Sequence, residues 1–352
     1  MRRLFVILFT LSAVAANGSR TVTDMSGRRV ELPDTVRRVF TDRFISLMAF
    51  ALDEAMLCNA TFTVAEASRP YISETYYKDK TLTEDNEEEL LRLRPDVLLM
   101  AAVDEDTGGE AARRQAKLHI PVLVVKFGID DYREAFLFLG EALNRREAAA
   151  RIVQFLDTYI VPLNAKTATL PEEQRPTLYY AEGNRGLNTE PTGSFHAQVF
   201  DYLHARNVAD VKTGSVHGMA AVTVEQILLW QPEVVVVWSG FPSGMGLPTT
   251  VKKEQTTAEF ILSDPVWAKV KAVKDGRVYQ TPALPFGWLD RPPSTNCLAG
   301  ALWLAKKLYP NVFTFDLDEA LQEYFSLFYH ISNLTGLQDL LGLNATERIK
   351  FS

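Results

Sequence analysis

Cysteine is nearly absent from this 352-residue chain, which carries only Cys58 and Cys297, far apart in sequence. Two thiols cannot form the disulfide framework that stabilises small exported domains. The fold must therefore rest on a packed core. The pair leaves either one bridge or two buried free thiols, and two free thiols are the expectation. Histidine is scarce as well, with five residues at positions 119, 196, 204, 217 and 330. His196 and His204 could share one helix face, although such histidines are more often packed or solvated than ligating. Neither Cys-x-x-Cys nor His-Glu-x-x-His occurs, so the common zinc patterns are excluded and no metal ligands are assigned. The Gly-rich phosphate loops and the Gly-x-Ser-x-Gly nucleophile elbow are missing too. A catalytic role is not expected, and neither is a resident cofactor.

Positive charge is also in deficit. The formal net charge is −7, and an acidic chain lacks the clustered basic face that nucleic acid requires. Long apolar runs are missing: the candidate nearest the start, Leu4 to Leu11, is interrupted by Thr10. That is too short to span a bilayer, which takes ~20 residues. Preceded by Arg2 and Arg3 and followed by the small residues Ser12 to Ala16, it reads as an export signal over residues 1–16. No cysteine stands at the cleavage point, so a periplasmic protein without a lipid anchor is expected.

What is present is the composition of a folded globular protein, 47% apolar and 23% charged. Buried-strand candidates are Val36–Thr41, Val97–Ala101, Val122–Lys126, Thr177–Glu182, Val234–Ser239 and Val278–Pro282. They are continuous apolar runs, as in sheets covered on both faces, and helical patterns lie between them. The fold class is therefore α/β with mostly parallel sheets.

An internal repeat refines this reading. EELLRLRPDVLLM, starting at Glu88, aligns with EQILLWQPEVVVV, starting at Glu225. Pro95 falls on Pro232, Leu91 on Leu228 and Asp96 on Glu233. Each copy is a helix, a proline that stops it and a buried strand. The period is far too long for a solenoid and fits two similar lobes. Between the copies runs one helical pattern from about Asp131 to Leu163, with Ile152, Phe155, Leu156, Tyr159, Ile160 and Leu163 on one face. The expected organisation is a first lobe over 21–140, an interlobe helix over 141–170 and a second lobe over 171–352, with the terminal helices forming a lid on the second lobe.

Several blocks in order resemble one family. They are Thr21…Asp24…Gly27…Pro33, then Val36–Thr41 with Asp42-Arg43, the two Glu…Pro-Asp/Glu units and Arg185-Gly-Leu-Asn188 with Gly193-Ser194. Trp267…Ala272-Val-Lys-Asp-Gly276-Arg-Val-Tyr279, Pro285–Ser294 and Glu323-Tyr-Phe325…Phe328-Tyr329 follow. The chain is similar to the class III substrate-binding proteins, which serve importers of ferric siderophores, haem, cobalamin and related metal or oxyanion ligands. Arg43-Phe44 and Cys58 depart from that pattern, standing where small residues and a Gly-rich turn are usual.

The resemblance implies two Rossmann-like lobes joined by one long rigid helix, with the ligand in the cleft between them. It also implies a monomer that delivers an iron or related metal chelate to an inner-membrane ABC permease. A molybdate or tungstate receptor is the alternative within the class, and a chelatase-like enzyme the alternative outside it. Ligands of open α/β sheets lie beyond the carboxyl ends of the strands, which singles out eight residues. Arg43 and Arg291 are candidate forks for anionic groups, and Trp288 and Phe241 are candidate aromatic walls. Arg185, Asn188, His217 and Ser294 are further polar contacts. Replacing Arg291 by Ala is expected to abolish binding without altering the melting temperature. The strand-end loop Ala102–Asp106 is expected to face the cleft, and its acidic run Asp104-Glu105-Asp106 reads as a solvated loop tip and not as a paired-carboxylate site. By the resemblance, Glu88 and Glu225 are the permease-docking charges, one per lobe.

Overall fold

Two parallel sheets form where the sequence places its β-branched runs. The computed structural model describes residues 18–83, 86–211, 219–238, 240, 256–291, 293–332 and 334. The expected export signal lies outside them. In the first lobe, strand Val97–Ala101 lies between Val39–Thr41 and Val122–Val125, with Val97 opposite Val39 and Leu98 opposite Val122. In the second lobe, Thr177–Ala181 lies between the short strand Arg206–Asn207 and Val234–Val237, and the latter pairs on its far side with Val278–Gln280. Every residue of Val97–Ala101 and Val234–Val237 is buried, as continuous apolar strands require when helices cover both faces. An antiparallel hairpin, Ser19–Thr23 with Arg29–Pro33, flanks the first sheet. Asp24 fastens it there by accepting a hydrogen bond from the Val124 amide.

The sequence repeat is a structural repeat. Helix Glu87–Leu93 leads through Pro95 into Val97–Ala101, and helix Val224–Trp230 leads through Pro232 into Val234–Val237. Both helices end on a non-glycine residue in the left-handed region, Arg94 at φ 47° and Gln231 at φ 45°. Both begin on a side-chain cap, Asn86 and Thr223. The matched acids also do the same work. Asp96 accepts from the amides of Arg37 and Arg38, at 2.7 and 2.9 Å. Glu233 accepts from the Thr177 amide at 3.0 Å. Each carboxylate pins the start of the neighbouring strand, which explains why the first strand begins at Val39 and not at Val36.

The helical pattern expected to run unbroken from Asp131 is two helices. Tyr132–Ala142 ends before Asn144, which turns the chain at φ 57°. The next helix runs Arg146–Phe155, through a π-helical turn Leu156–Ile160, into Val161–Ala168. The reversal lets the two helices cross closely: a Cβ on Gly140 would lie 2.4 Å from that of Ala149. The wide turn precedes Pro162, which has no N–H for the regular ladder, and the Val161 amide bonds back to Leu156.

One hydrophobic core runs through both lobes, from Val39 and Val97 to Leu178, Val236 and Trp288. The closing helix, Leu317–Tyr329, does more than lid the second lobe. Its Tyr329 packs on Phe50 of the first lobe at 6.0 Å, and its Phe328 packs on Phe155 of the interlobe helix at 5.8 Å. Such ring pairs add about 0.5–1.5 kcal/mol each beyond their burial. Cys58 and Cys297 are both buried and free.

Helix Asn296–Leu308 reaches this core by lying against a loop. A Cβ on Gly300 would stand 2.0 Å from the Trp288 carbonyl oxygen. Gly300→Ala is therefore expected to lose about 1–3 kcal/mol in chemical denaturation, although Ala favours a helix interior by about 1 kcal/mol. A more stable variant would contradict the close approach.

Candidate functional site

A cavity of about 820 Å³ opens beyond the carboxyl ends of the first lobe's strands and is closed on the far side by the second lobe. Its first wall is the loop after Val39–Thr41. Asp42 Oδ1 accepts from the amides of Phe44 and Ile45, and its Oδ2 accepts from the Ala101 amide at 2.6 Å. This turn anchors Arg43 and Phe44 in the cavity wall. The second wall is the loop after Val97–Ala101, with Val103, Asp104 and Glu105. Thr107 holds Asp104 in place, donating to its carboxylate at 2.9 Å. The third wall is Lys126 to Asp131, and the second lobe contributes Phe195, His196, Gln198 and Pro293.

Three aromatic rings form a ladder across the cavity. Phe44 meets Phe127 at 5.0 Å, and Phe127 meets Phe195 of the other lobe at 5.1 Å. The lobes also touch through the Ile129 amide, which donates to Gln198 Oε1 at 2.9 Å. The wall carries Arg43 and Lys126 against the carboxylates of Asp104, Glu105, Asp130 and Asp131. Lys126 is 3.8 Å from Asp131. Partial burial, with Asp131 beside it, raises the pKa of Asp130.

Behind His196 lies a buried ionic cluster. Arg291, with 12% of its side chain exposed, pairs with Glu182, Glu190 and Asp290, all essentially inaccessible. Its guanidinium also lies over the Trp238 ring, 4.9 Å from the centroid. Tyr180 donates to Asp290 at 2.8 Å, Ser194 donates to Glu190 at 2.7 Å, and His196 Nδ1 is 3.4 Å from Asp290. Burial pushes the Glu182 carboxyl up to about 8 and that of Asp290 up to about 6, with Arg291 opposing the shift in both. Glu182 Oε2 has no hydrogen-bond partner among the described residues.

The expected site residues separate accordingly. Arg43 lines the cavity. Arg291 needs correction: its fork is held by three carboxylates of its own chain, so it is not a vacant anion receptor. Trp288 is core and not cleft wall, 1% exposed, with its indole N–H donating to the Leu284 carbonyl at 2.7 Å. Ser294 is buried and accepts from the Asn296 amide at the start of helix Asn296–Leu308. Asn188 lies in the strand pair Asn188–Thr189 with Ala220–Ala221, and Arg185 lies over Phe260 at 5.6 Å. Neither lines the cavity. His217 and Phe241 lie outside the described residues. Sequence reasoning missed Phe127 and Asp130, although they follow the strand Val122–Val125 and the strand-end rule reaches them. It missed Phe195 too, which stands on a short turn after no long strand. Asp104 and Glu105 line the cavity from the loop after Val97–Ala101, a strand-end loop expected to face the cleft.

A two-lobed α/β chain with its cavity at the facing strand ends matches the periplasmic binding protein model over residues 58–284. The chain belongs to the periplasmic binding protein family. Within this family it is a class III substrate-binding protein of ABC transporters. An ABC transporter solute binding protein from Sulfurospirillum deleyianum has 28% identity, with 92% of this chain and 99% of that one covered at a TM-score of 0.79. The molybdate-binding protein MolA of Haemophilus influenzae is 23% identical over 94% of this chain and 96% of its own. Helicobacter pylori CeuE, solved as a Ni-His complex, shares the fold at 16% identity and a TM-score of 0.59, with 95% of this chain and 99% of that chain covered. The first two of these relatives are described as binding proteins. No helix among the described residues is long and apolar enough to cross a membrane.

The cluster yields two linked expectations for this periplasmic binding protein. Arg291→Ala strands three buried acids, so it is expected to cost about 3–5 kcal/mol of stability, and the melting temperature falls with it. The Glu182 and Asp290 carboxyls hold their protons more tightly when folded than unfolded. Their contribution to stability is complete below the ordinary carboxylate range and is lost as pH rises through about 6 and then about 8. Melting curves of the wild type and Glu182→Gln should therefore show the wild type losing ground to the variant between pH 5 and 8. A pH-independent difference would mean that Glu182 is ionised throughout.

Proposed function

We propose that this chain is the periplasmic receptor of an ABC importer for an iron or related metal chelate, binding it in the interlobe cleft and presenting it to the permease. The observation that carries this reading is the cavity of about 820 Å³ with an aromatic ladder spanning its two walls. Open, ring-lined clefts suit bulky ligands with apolar surface. A compact oxyanion calls for converging N–H groups and cationic forks. The similarity to a molybdate-binding protein, with Arg43 and Lys126 in the wall, keeps an oxyanion as the second reading. Against it stands Arg291, whose fork is already filled.

Delivery needs a docking face. Glu88 and Glu225 are both exposed, at the second position of their helices in the two repeat copies. Each helix turns through its proline into a strand of its own lobe's sheet, so each lobe carries one such exposed acid. Charges placed so set orientation and encounter rate more than affinity. Removal of the segment over residues 1–16 on export completes the reading.

A thermal-shift panel of the metal-stripped chain with ferric siderophores, haem, cobalamin, nickel–histidine, molybdate and tungstate tests the ligand. A ligand at 100 times its Kd adds about 2.7 kcal/mol to stability. A shift with a chelate alone is expected; a shift with molybdate or tungstate alone would transfer the assignment to the oxyanion. Glu88→Arg combined with Glu225→Arg should abolish uptake through the reconstituted importer and leave ligand affinity unchanged. Intact uptake would remove these two charges from docking.

A further inference from the structure

We propose that the cleft selects metal complexes whose outer surface is neutral or positively charged and rejects polyanionic ones. This rests on the chelate-receptor reading and specifies its substrate class. Three observations converge on it. Four carboxylates, Asp104, Glu105, Asp130 and Asp131, face two cations in the described cavity wall. Of those cations Lys126 stands 3.8 Å from Asp131, so part of its charge is already answered. In the second lobe, among the described residues, the guanidinium of Arg291 behind His196 is already paired with Glu182, Glu190 and Asp290. Even with Glu182 protonated, Glu190 and Asp290 offset its charge, so this cluster adds no net positive charge to the described part of the second wall.

The acids are placed to act on a bound ligand. Asp104 is fixed by Thr107 and sits beside Val103, which is exposed and contributes apolar surface to the same wall. Asp130 and Asp131 follow Phe127 within one loop, so ring contact and negative field come from the same segment. A concave, partly apolar site concentrates the field of its rim charges. A chelate stacked on the Phe44–Phe127–Phe195 ladder therefore meets carboxylates at its edge. A neutral shell avoids repulsion there, and an ammonium arm gains an ion pair. A trianionic shell meets like charge on two sides and finds two cations for its three charges.

Three ferric complexes of similar size separate the possibilities: a neutral trihydroxamate, a trihydroxamate carrying one ammonium arm, and a trianionic tricatecholate. Quenching of the chain's tryptophan fluorescence gives each Kd at low and at moderate salt. The neutral and cationic complexes are expected to bind at least about tenfold more tightly than the tricatecholate, a difference of about 1.4 kcal/mol. Only the cationic one should weaken markedly as salt is raised. Asp104→Asn with Glu105→Gln alters exposed groups, and its melting temperature checks the fold. It should narrow the gap by strengthening the tricatecholate. A tricatecholate that binds as tightly as the others, or a gap unmoved in the double variant, overturns the charge selection and leaves the chelate reading standing. Binding of molybdate or tungstate with none of the three complexes overturns both.

Discussion

A single buried cation sets the second lobe's side of the binding cleft. Arg291 draws together three separate stretches of chain: the end of strand Thr177–Ala181 at Glu182, the loop after Asn188–Thr189 at Glu190, and its own loop at Asp290. Burying four ionisable groups with one cation carries a desolvation cost that favours the protonated acids. Glu182 and Asp290 both have raised pKa values because burial outweighs their pairing with Arg291. The chain between Glu182 and Glu190 doubles back through an antiparallel bridge from Glu182 to Asn188 and the short strand pair Asn188–Thr189 with Ala220–Ala221, and the ionic cluster ties this turn to the Asp290 loop.

The cluster reaches the cavity through His196, which approaches Asp290 on one side and lines the cleft on the other. From there the packing continues without interruption. Phe195 meets Phe127, Gln198 meets Ile129, and the closing helix ties Phe50 of the first lobe to Phe155 of the interlobe helix through Tyr329 and Phe328. Ser68 donates to the Pro285 carbonyl at 2.7 Å from the opposite side. Because one core serves both lobes, the width of the cleft is a property of side-chain packing and not of a linker.

The strands were legible because burial on both faces writes them as unbroken apolar runs, and the two lobes because the helix–proline–strand unit occurs twice. The acids after the two prolines were seen to match, and their geometry explains the match, since each pins an adjacent strand. The break at Asn144 was not legible. Local composition there continues a helix without proline, and the reversal depends on Gly140 meeting Ala149, which only tertiary structure brings about. Arg291 was misread for a related reason. Its partners Glu182 and Glu190 stand 109 and 101 residues earlier, and an arginine near a strand end looks the same in sequence whether its fork is filled or vacant. Trp288 likewise gives no local sign that its N–H is already bound to Leu284.

Fold and ligand are therefore written in different parts of the chain. The scaffold consists of the apolar strands, the left-handed turns at Arg94 and Gln231 and the pinning carboxylates. These constraints involve the backbone, and many side chains satisfy them, so similarity of 23% over nearly the whole length is enough to preserve the fold. The cleft is lined by side chains in loops that the scaffold merely positions. Phe44 and Asp130 belong to no strand and no helix, yet both line the cavity and set its surface and charge. In this chain the described side chains that follow the first lobe's strands into the cavity are mainly aromatic and acidic, with Arg43 and Lys126 among them.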